Sequence, residues 1–197
     1  RHEERIMLST LIKVGTKLLG LSALINSGRP AFDGCYRVVG VGGATAIEFF
    51  DRPPGNGEHP VRILPYRTNM IASAALAGRD VISGEFTGCV MASFKEDLAL
   101  HVGHVDTNAK TSQRAAWDAR KAAGLEVVSE YATTGKIQDT HGAGAVILCV
   151  ADGSTGEISH FHVSKSRYEY GHTKAANSPF TERKFDTLYT VISSGGY

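Results

Sequence analysis

The run FTGCVMASFKEDLALHVGHVDT, from Phe86 to Thr107, has the pattern of a β-hairpin. Val90 to Phe94 and Leu98 to Asp106 are apolar enough to be strands, and the polar triplet Lys95-Glu96-Asp97 between them favours a turn. The hairpin is therefore the element from which we predict both a sheet and a functional site.

This hairpin carries a thiol and two imidazoles. Thr87 and Gly88 form a predicted tight turn directly before Cys89, because glycine permits backbone conformations that other residues avoid. The returning strand contains His101 and His104, which point to opposite faces of a regular strand. Only one of the two histidines can therefore face the thiol.

The register of the hairpin decides which histidine that is. A two-residue loop at Glu96-Asp97 places Cys89 directly opposite His104 on the same face. A three-residue loop places Cys89 opposite Gly103 and makes His101 its diagonal neighbour. Opposed Cβ atoms are ~5 Å apart and diagonal ones ~7–8 Å, so either register brings an imidazole towards the thiol.

A nearby imidazole gives this thiol a chemical use. A free thiol has a pKa of ~8.5, and an imidazole beside it can lower that pKa or take the proton during attack on an electrophile. The competing interpretation is structural, because free cysteines are among the most buried residues and hairpins are common. Under that interpretation Cys89 is a core residue and the hairpin has no chemistry.

The composition limits the class of protein. The chain has 197 residues, 42% of them hydrophobic, which suits one domain with a substantial core. Its net charge of +1 gives no basis for nucleic-acid binding. The three cysteines are widely spaced and odd in number, which argues against a disulfide framework and suits a reducing compartment.

The N-terminal segment, residues 1–27, is predicted to be an amphipathic helix packed on a catalytic domain formed by residues 28–197. Its apolar residues repeat at alternating spacings of four and three. Lysines interrupt the apolar run, so neither a membrane span nor a signal peptide is expected, and membrane contact is not favoured. The stripe consists of Met7, Leu11, Val14, Leu18, Leu21 and Ile25.

The rest of the chain alternates between strand-like blocks and turns. A helix is predicted from Asp106–Asn108 to Ala122, and Ser164 to Lys184 is polar and aperiodic, which predicts a long loop. Together these elements predict an α+β fold with a mainly antiparallel sheet or sandwich flanked by helices, and a Cys-His site on a β-hairpin.

Four separate features of this region resemble bacterial glutamine deamidases. They are ILPYR at Ile63–Arg67, then Ser83, then the TGC triplet at Thr87–Cys89, and a returning strand with His-Val-Asp at His104–Asp106. The set resembles the catalytic domains of cytotoxic necrotizing factor and Burkholderia lethal factor, in the wider group that includes the chemotaxis receptor deamidase. The resemblance covers Val61 to Thr107, about a quarter of the chain.

The resemblance implies roles for individual residues. Cys89 would be the nucleophile and His104 the general base, with His101 as the alternative base because its spacing from Cys89 matches the lethal factor. Ser83 falls where the lethal factor has a threonine that contributes to the site. Thr87 stands where the family has serine, and the turn at Thr87-Gly88 would help to hold an oxyanion.

The implied activity is deamidation of a glutamine side chain in a target protein by a secreted bacterial toxin or effector. The domain would be delivered into a target cell and act in a reducing cytosol, with an immunity protein or chaperone as a further partner. No cofactor or metal is inferred, because His160 and His162 share a strand face without a third ligand at a suitable spacing. A cysteine peptidase, a transglutaminase and a non-enzymatic interaction module remain alternatives.

Overall fold

The computed structural model describes residues 6–41, 43–108, 110, 112–137, 144–174 and 181–195. The described helices are α1 (Leu8–Leu11), α2 (Leu21–Ile25) and α3 (Arg114–Ala122). The described strands are β1 (Lys17–Leu19), β2 (Phe32–Val41), β3 (Ala44–Phe50), β4 (His59–Ile63), β5 (Ile71–Ala75), β6 (Val81–Phe86), β7 (Val90–Glu96), β8 (Ala99–Val105), β9 (Glu126–Ala132), β10 (Val146–Ala151), β11 (Ile158–Lys174) and β12 (Thr181–Gly195).

The strands form a closed barrel and a separate four-stranded sheet. The barrel order is β1-β12-β11-β10-β6-β4-β2-β3, closed by the parallel pair β1–β3, and the second sheet has the order β5-β8-β7-β9. The predicted α+β sandwich flanked by helices is therefore wrong. A barrel removes open sheet edges by closure, and closure depends on pairing between residues far apart in sequence.

Strand β10 lies where the barrel meets the second sheet, and every residue in it is buried. Val146, Leu148 and Val150 belong to the cluster that fills the barrel. Ile147 and Cys149 alternate with them and belong to the cluster between barrel and sheet. Both faces of this strand need apolar side chains, which explains the unbroken run AVILCVA.

The N-terminal segment is not one helix. Within its described part it forms α1, β1 and α2, and the prediction of a continuous amphipathic helix over residues 1–27 is wrong; residues 1–5 lie outside the described residues. Gly15 and Gly20 have φ values of 87° and 70°, in the left-handed region, which interrupts an α-helix. Leu18, Leu21 and Ile25 still fill the barrel, so the apolar stripe does contribute to the core.

Two further sequence expectations are settled by the strands. The stretch predicted as a long loop from Ser164 to Lys184 forms the distal parts of β11 and β12, with residues 175–180 outside the described residues. The predicted hairpin is present as β7 and β8, at the centre of the second sheet. None of the helices in the described ranges has the length and apolarity required to cross a membrane.

Candidate functional site

The register of the β7–β8 hairpin places Cys89 and His104 on one face of the second sheet. The two-residue turn is Asp97-Leu98, one residue later than predicted, with positive φ at both positions, as in a type I′ turn. Met91 pairs with His104, so Cys89 lies level with Asp106. Neither predicted register is observed. His104 is instead the diagonal same-face neighbour of Cys89, a relation that spans ~7–8 Å between Cα or Cβ positions, and the Cys89 sulfur forms no hydrogen bond with Nε2 of His104.

His101 lies on the other face of the sheet. It pairs with Phe94, and the two rings are stacked with centroids 5.8 Å apart. Phe94 also contacts Trp117 of α3, in a cluster separate from the one that Cys89 contacts. The structure therefore does not bring the alternative base His101 to the thiol.

A chain of hydrogen bonds fixes the His104 ring. The Ser83 hydroxyl donates to the Leu64 carbonyl at 2.6 Å, and its oxygen lies 2.9 Å from Nδ1 of His104. Because that hydroxyl has one proton and gives it to Leu64, Nδ1 must carry the proton shared with Ser83. The neutral His104 ring is thereby the Nδ1–H tautomer, and Nε2 carries a lone pair.

This lone pair is held without a competing partner. His104 is 1% exposed, and its Nε2 has no hydrogen-bond partner among the described residues. The ring is stacked on Phe86 with centroids 4.0 Å apart and lies 5.2 Å from the ring of Tyr66. Burial lowers the pKa of His104 to about 3, against a smaller opposing effect of the Asp106 charge. The resting imidazole is therefore neutral.

Cys89 is the accessible thiol of this chain. Cys35 and Cys149 are fully buried, whereas Cys89 is partly exposed and lines a cleft of about 460 Å³. Burial raises the pKa of Cys89, the backbone N–H of Thr107 opposes that rise, and the negative charge of Asp106 adds to it. The resting thiol and the resting imidazole are consequently both neutral, so any attack by the sulfur would require deprotonation of Cys89.

Threonine side chains hold the turn that presents the thiol. The Gly88 carbonyl accepts hydrogen bonds from the hydroxyls of Thr107 and Thr134, and the Cys89 carbonyl accepts from the N–H and hydroxyl of Thr133. In a trans peptide the N–H points away from the carbonyl oxygen, so the Cys89 N–H points away from the hydroxyls that bind the Gly88 carbonyl. The turn therefore has a fixed orientation.

Gly88 was expected to allow a backbone conformation that other residues avoid, but the structure gives it a different role. Its φ is not in the left-handed region, so the turn does not require glycine for its backbone conformation. A Cβ at this position would meet no atom within 4 Å, which leaves open space beside Cys89. Glycine here keeps the approach to the sulfur clear, and Thr87 lines the same cleft.

Asp106 neither caps α3 with its side chain nor binds Nδ1 of the His104 imidazole. Its carboxylate accepts the N–H groups of Asn69 and Asn108 at 2.8 and 2.9 Å. The residue before α3, Gln113, has no side-chain capping bond. Asp106 therefore acts on His104 through its charge, which favours the imidazolium, and Ser83 is the group that orients the ring.

An acidic group on the cleft wall was not anticipated from the sequence. Glu85 lines the cleft and is bound by Nζ of Lys165 at 2.7 Å, by the Tyr189 hydroxyl and by the Asn26 amide at 3.4 Å. Burial works against its charge, but these hydrogen bonds together hold its pKa below the usual value. The position of Glu85 in the sequence, between Ser83 and Cys89, could have indicated that it lies near the site. Its hydrogen-bond partners come from distant segments, and the sequence gives no indication of them.

The other histidine-bearing hairpin does not form a second site of this kind. Cys149 pairs directly with His160, but burial raises the pKa of the Cys149 thiol strongly and the sulfur lies in the core between barrel and sheet. Across the described ranges, no three His, Cys, Asp or Glu side chains come together as a metal site would require.

The cleft thus combines an accessible thiol with open space beside the sulfur, and the buried, oriented imidazole of His104 lies on the same sheet face without lining the cleft. These are the parts that nucleophilic attack on a carbonyl carbon requires. No protein-family model matches the chain, and no curated protein sequence matches it significantly. The chemistry of the cleft is therefore inferred from its own residues.

Proposed function

We propose that this chain is a cysteine-dependent hydrolase that deamidates a glutamine side chain of a target protein. The observation that carries the proposal is the oriented, unpartnered Nε2 of His104 on the same sheet face as the accessible Cys89. Leaving a buried polar atom unpaired costs about 1–3 kcal/mol. His160 also has a buried ring nitrogen without a hydrogen-bond partner among the described residues, but the cysteine paired with it, Cys149, is buried, whereas Cys89 is accessible. A general base needs an unoccupied nitrogen lone pair to accept the proton of the nucleophile.

The first half of the reaction is acylation of Cys89. As the sulfur attacks the carboxamide carbon, Nε2 of His104 takes the thiol proton and the C=O π pair moves onto oxygen. The resulting imidazolium gives that proton to the nitrogen of the tetrahedral intermediate, the C–N bond breaks, and ammonia leaves. A thioester remains on Cys89.

The second half is hydrolysis of that thioester. His104, neutral again, takes a proton from water as the water attacks the acyl carbon, and returns it to the sulfur when the C–S bond breaks. Glutamate is released and the free thiol is restored. The negative charge of Asp106 stabilises the imidazolium in both halves.

The oxyanion of each tetrahedral intermediate needs a hydrogen-bond donor. The backbone N–H of Cys89 is our candidate, since the turn that carries it is fixed by threonines. Ser83 was expected to contribute to the site, but its hydroxyl is already shared between Leu64 and His104 and is not available to an oxyanion. We therefore assign Ser83 to positioning the base.

We place the activity in the reducing cytosol of a cell into which a bacterial protein is delivered as a toxin or effector. The three free cysteines of the chain support a reducing environment. The bacterial origin and the delivery follow from the resemblance to deamidase toxins, as does a partner of the immunity-protein or chaperone kind.

The test is an unbiased search for modified proteins. Wild-type protein and the Cys89→Ser variant are each incubated with cytosolic proteins in water enriched in heavy oxygen, and peptides are analysed by mass spectrometry. Deamidation predicts glutamates that carry one heavy oxygen at a few sites, with the wild type only. New chain termini would identify a peptidase instead, and amine adducts on glutamine a transglutaminase.

A null result has a clear meaning in this design. If the wild type and Cys89→Ser give the same peptides, the proposed activity is wrong and the cleft has a non-enzymatic role. His104→Gln serves as the second control, because it keeps a side chain of similar size that can still bind Ser83 but removes the base.

A further inference from the structure

Strands β11 and β12 continue beyond the barrel as a two-stranded ribbon. β10 pairs with β11 only as far as Val163, and β1 pairs with β12 only at Tyr189 and Thr190. Pairing between β11 and β12 nevertheless extends to Lys174 and Thr181. Among the described residues, this distal ribbon has no neighbouring strand on either edge.

One face of the ribbon runs directly into the cleft. Lys165 pairs with Tyr189, Arg167 with Thr187 and Glu169 with Phe185, so these side chains share a face. Lys165 and Tyr189 both bind Glu85, which lines the cleft beside Cys89. The face is therefore continuous with the candidate site.

Further out, this face combines an exposed aromatic ring with a cation. Phe185 is 38% exposed, and the Arg167 guanidinium lies over its ring at 3.6 Å from the centroid. No carboxylate among the described residues forms an ion pair with Arg167, whereas Lys165 is paired with Glu85 and Arg183 with Glu169. A groove of about 490 Å³ lies along the same part of the ribbon, lined by residues of this face and also by Ser166 and Asp186.

We propose that this face, formed by Lys165, Arg167, Phe185 and Thr187, docks an acidic segment of the target protein next to the reacting glutamine. Charge complementarity assigns the partner, because Arg167 is a cation held in place by stacking and has no ion-pair partner within the described ranges, whereas Glu169 on the same face is paired with Arg183. Stacked arginine and aromatic residues also match the composition of interface centres. The proposal names the substrate class of the candidate site and rests on the proposed function.

The spacing between the cleft and Arg167 suits an acidic residue that lies close to the glutamine in the target sequence. Arg167 lies two residues beyond Lys165, which corresponds to ~7 Å along a strand. A carboxylate a few residues from the glutamine can therefore reach Arg167 while the glutamine side chain enters the cleft.

The test measures binding on a Cys89→Ser background, so that no peptide is turned over. Fluorescence anisotropy compares fluorescein-labelled peptides with one central glutamine and flanks of either glutamate or serine. We expect tighter binding of the glutamate peptide, and a loss of about tenfold in its affinity on Arg167→Glu, since reversal removes an attraction and adds a repulsion. High salt should reduce the preference for glutamate.

Lys184→Glu is the matched control. Lys184 is exposed on the same ribbon and neighbours Phe185 in the chain, so it points to the opposite face, and the substitution makes the same change in charge. We expect Lys184→Glu to bind the glutamate peptide as the parent does. Equal effects of the two substitutions, or equal binding of both peptides to the parent, would overturn the docking proposal.

A third peptide, in which alanine replaces the glutamine between glutamate flanks, separates docking from chemistry. Sensitivity of this peptide to Arg167→Glu but not to Lys184→Glu supports the docking face even if no deamidation is found in heavy-oxygen water. Deamidation without that pattern of binding supports the site and refutes the docking face.

Discussion

Acidification should destabilise this protein through His104. Burial holds the pKa of His104 at about 3 in the folded state, whereas an unfolded histidine titrates near 6.5. Between these pH values the unfolded chain binds more protons than the folded chain, so the free energy of unfolding rises with pH. Above this window the full stabilising contribution of the neutral His104 ring is present. Each pH unit contributes about 1.4 kcal/mol, so lowering the pH from 6.5 to 4 should cost about 3 kcal/mol from this one ring.

Urea unfolding at a series of pH values measures this effect. Other groups titrate in the same range, and the pKa of both Glu85 and Asp33 is lowered in the folded state. A His104→Gln variant retains those groups, so the difference in slope between the two proteins reports His104 alone. Parallel slopes for wild type and His104→Gln between pH 6.5 and 4 would refute the assignment of a buried, neutral imidazole.

Three further predictions concern the site and its support. Ser83→Ala should slow acylation of Cys89 by about a hundredfold, because the base loses its orientation, while Ser83→Thr retains the hydroxyl and restores most of the rate; stopped-flow kinetics of both variants would check this. Iodoacetamide should label Cys89 well before the two fully buried cysteines in the native protein, as peptide mass spectrometry would show, and equal labelling of all three would contradict its accessibility. Gly153→Ala should destabilise the protein by about 1–3 kcal/mol in urea, since the added Cβ would lie 2.3 Å from the backbone of Arg79, and unchanged stability would exclude that close approach.

The hairpin could be predicted because its signal is local. Alternating side chains on β8 place His101 and His104 on opposite faces whatever the register, so only one of these two histidines can face Cys89. The turn was misplaced by one residue because Leu98, an apolar residue, occupies a left-handed turn position with φ 64°. Turn composition alone favoured the polar residues before it.

Barrel closure could not be predicted, because it depends on long-range pairing through a very short strand. β1 has three residues and pairs with β3 on one side and β12 on the other. Its apolar residues, with those of α1 and α2, fill the barrel and imitate a helical stripe. Gly15 and Gly20 were the signals against a continuous helix.

The tautomer of His104 could not be predicted from the sequence either. It depends on Ser83, which belongs to a barrel strand, and on the Leu64 carbonyl, which follows another. Ser83 was identified from its spacing to Cys89 through the family resemblance, but its partner was not. The distal ribbon gave no signal because its sequence is mostly polar and lacks the apolar–polar alternation that marks a half-buried strand.

Burst kinetics with p-nitrophenyl acetate test directly whether the thiol and the imidazole act as a pair, since the ester needs no knowledge of the target protein. Wild type should release about one nitrophenolate per protein molecule in a rapid phase, absent in Cys89→Ser and about a hundredfold slower in His104→Gln. A burst of the same rate in wild type and His104→Gln, or one that persists in Cys89→Ser, would contradict the pairing on which the proposed chemistry rests.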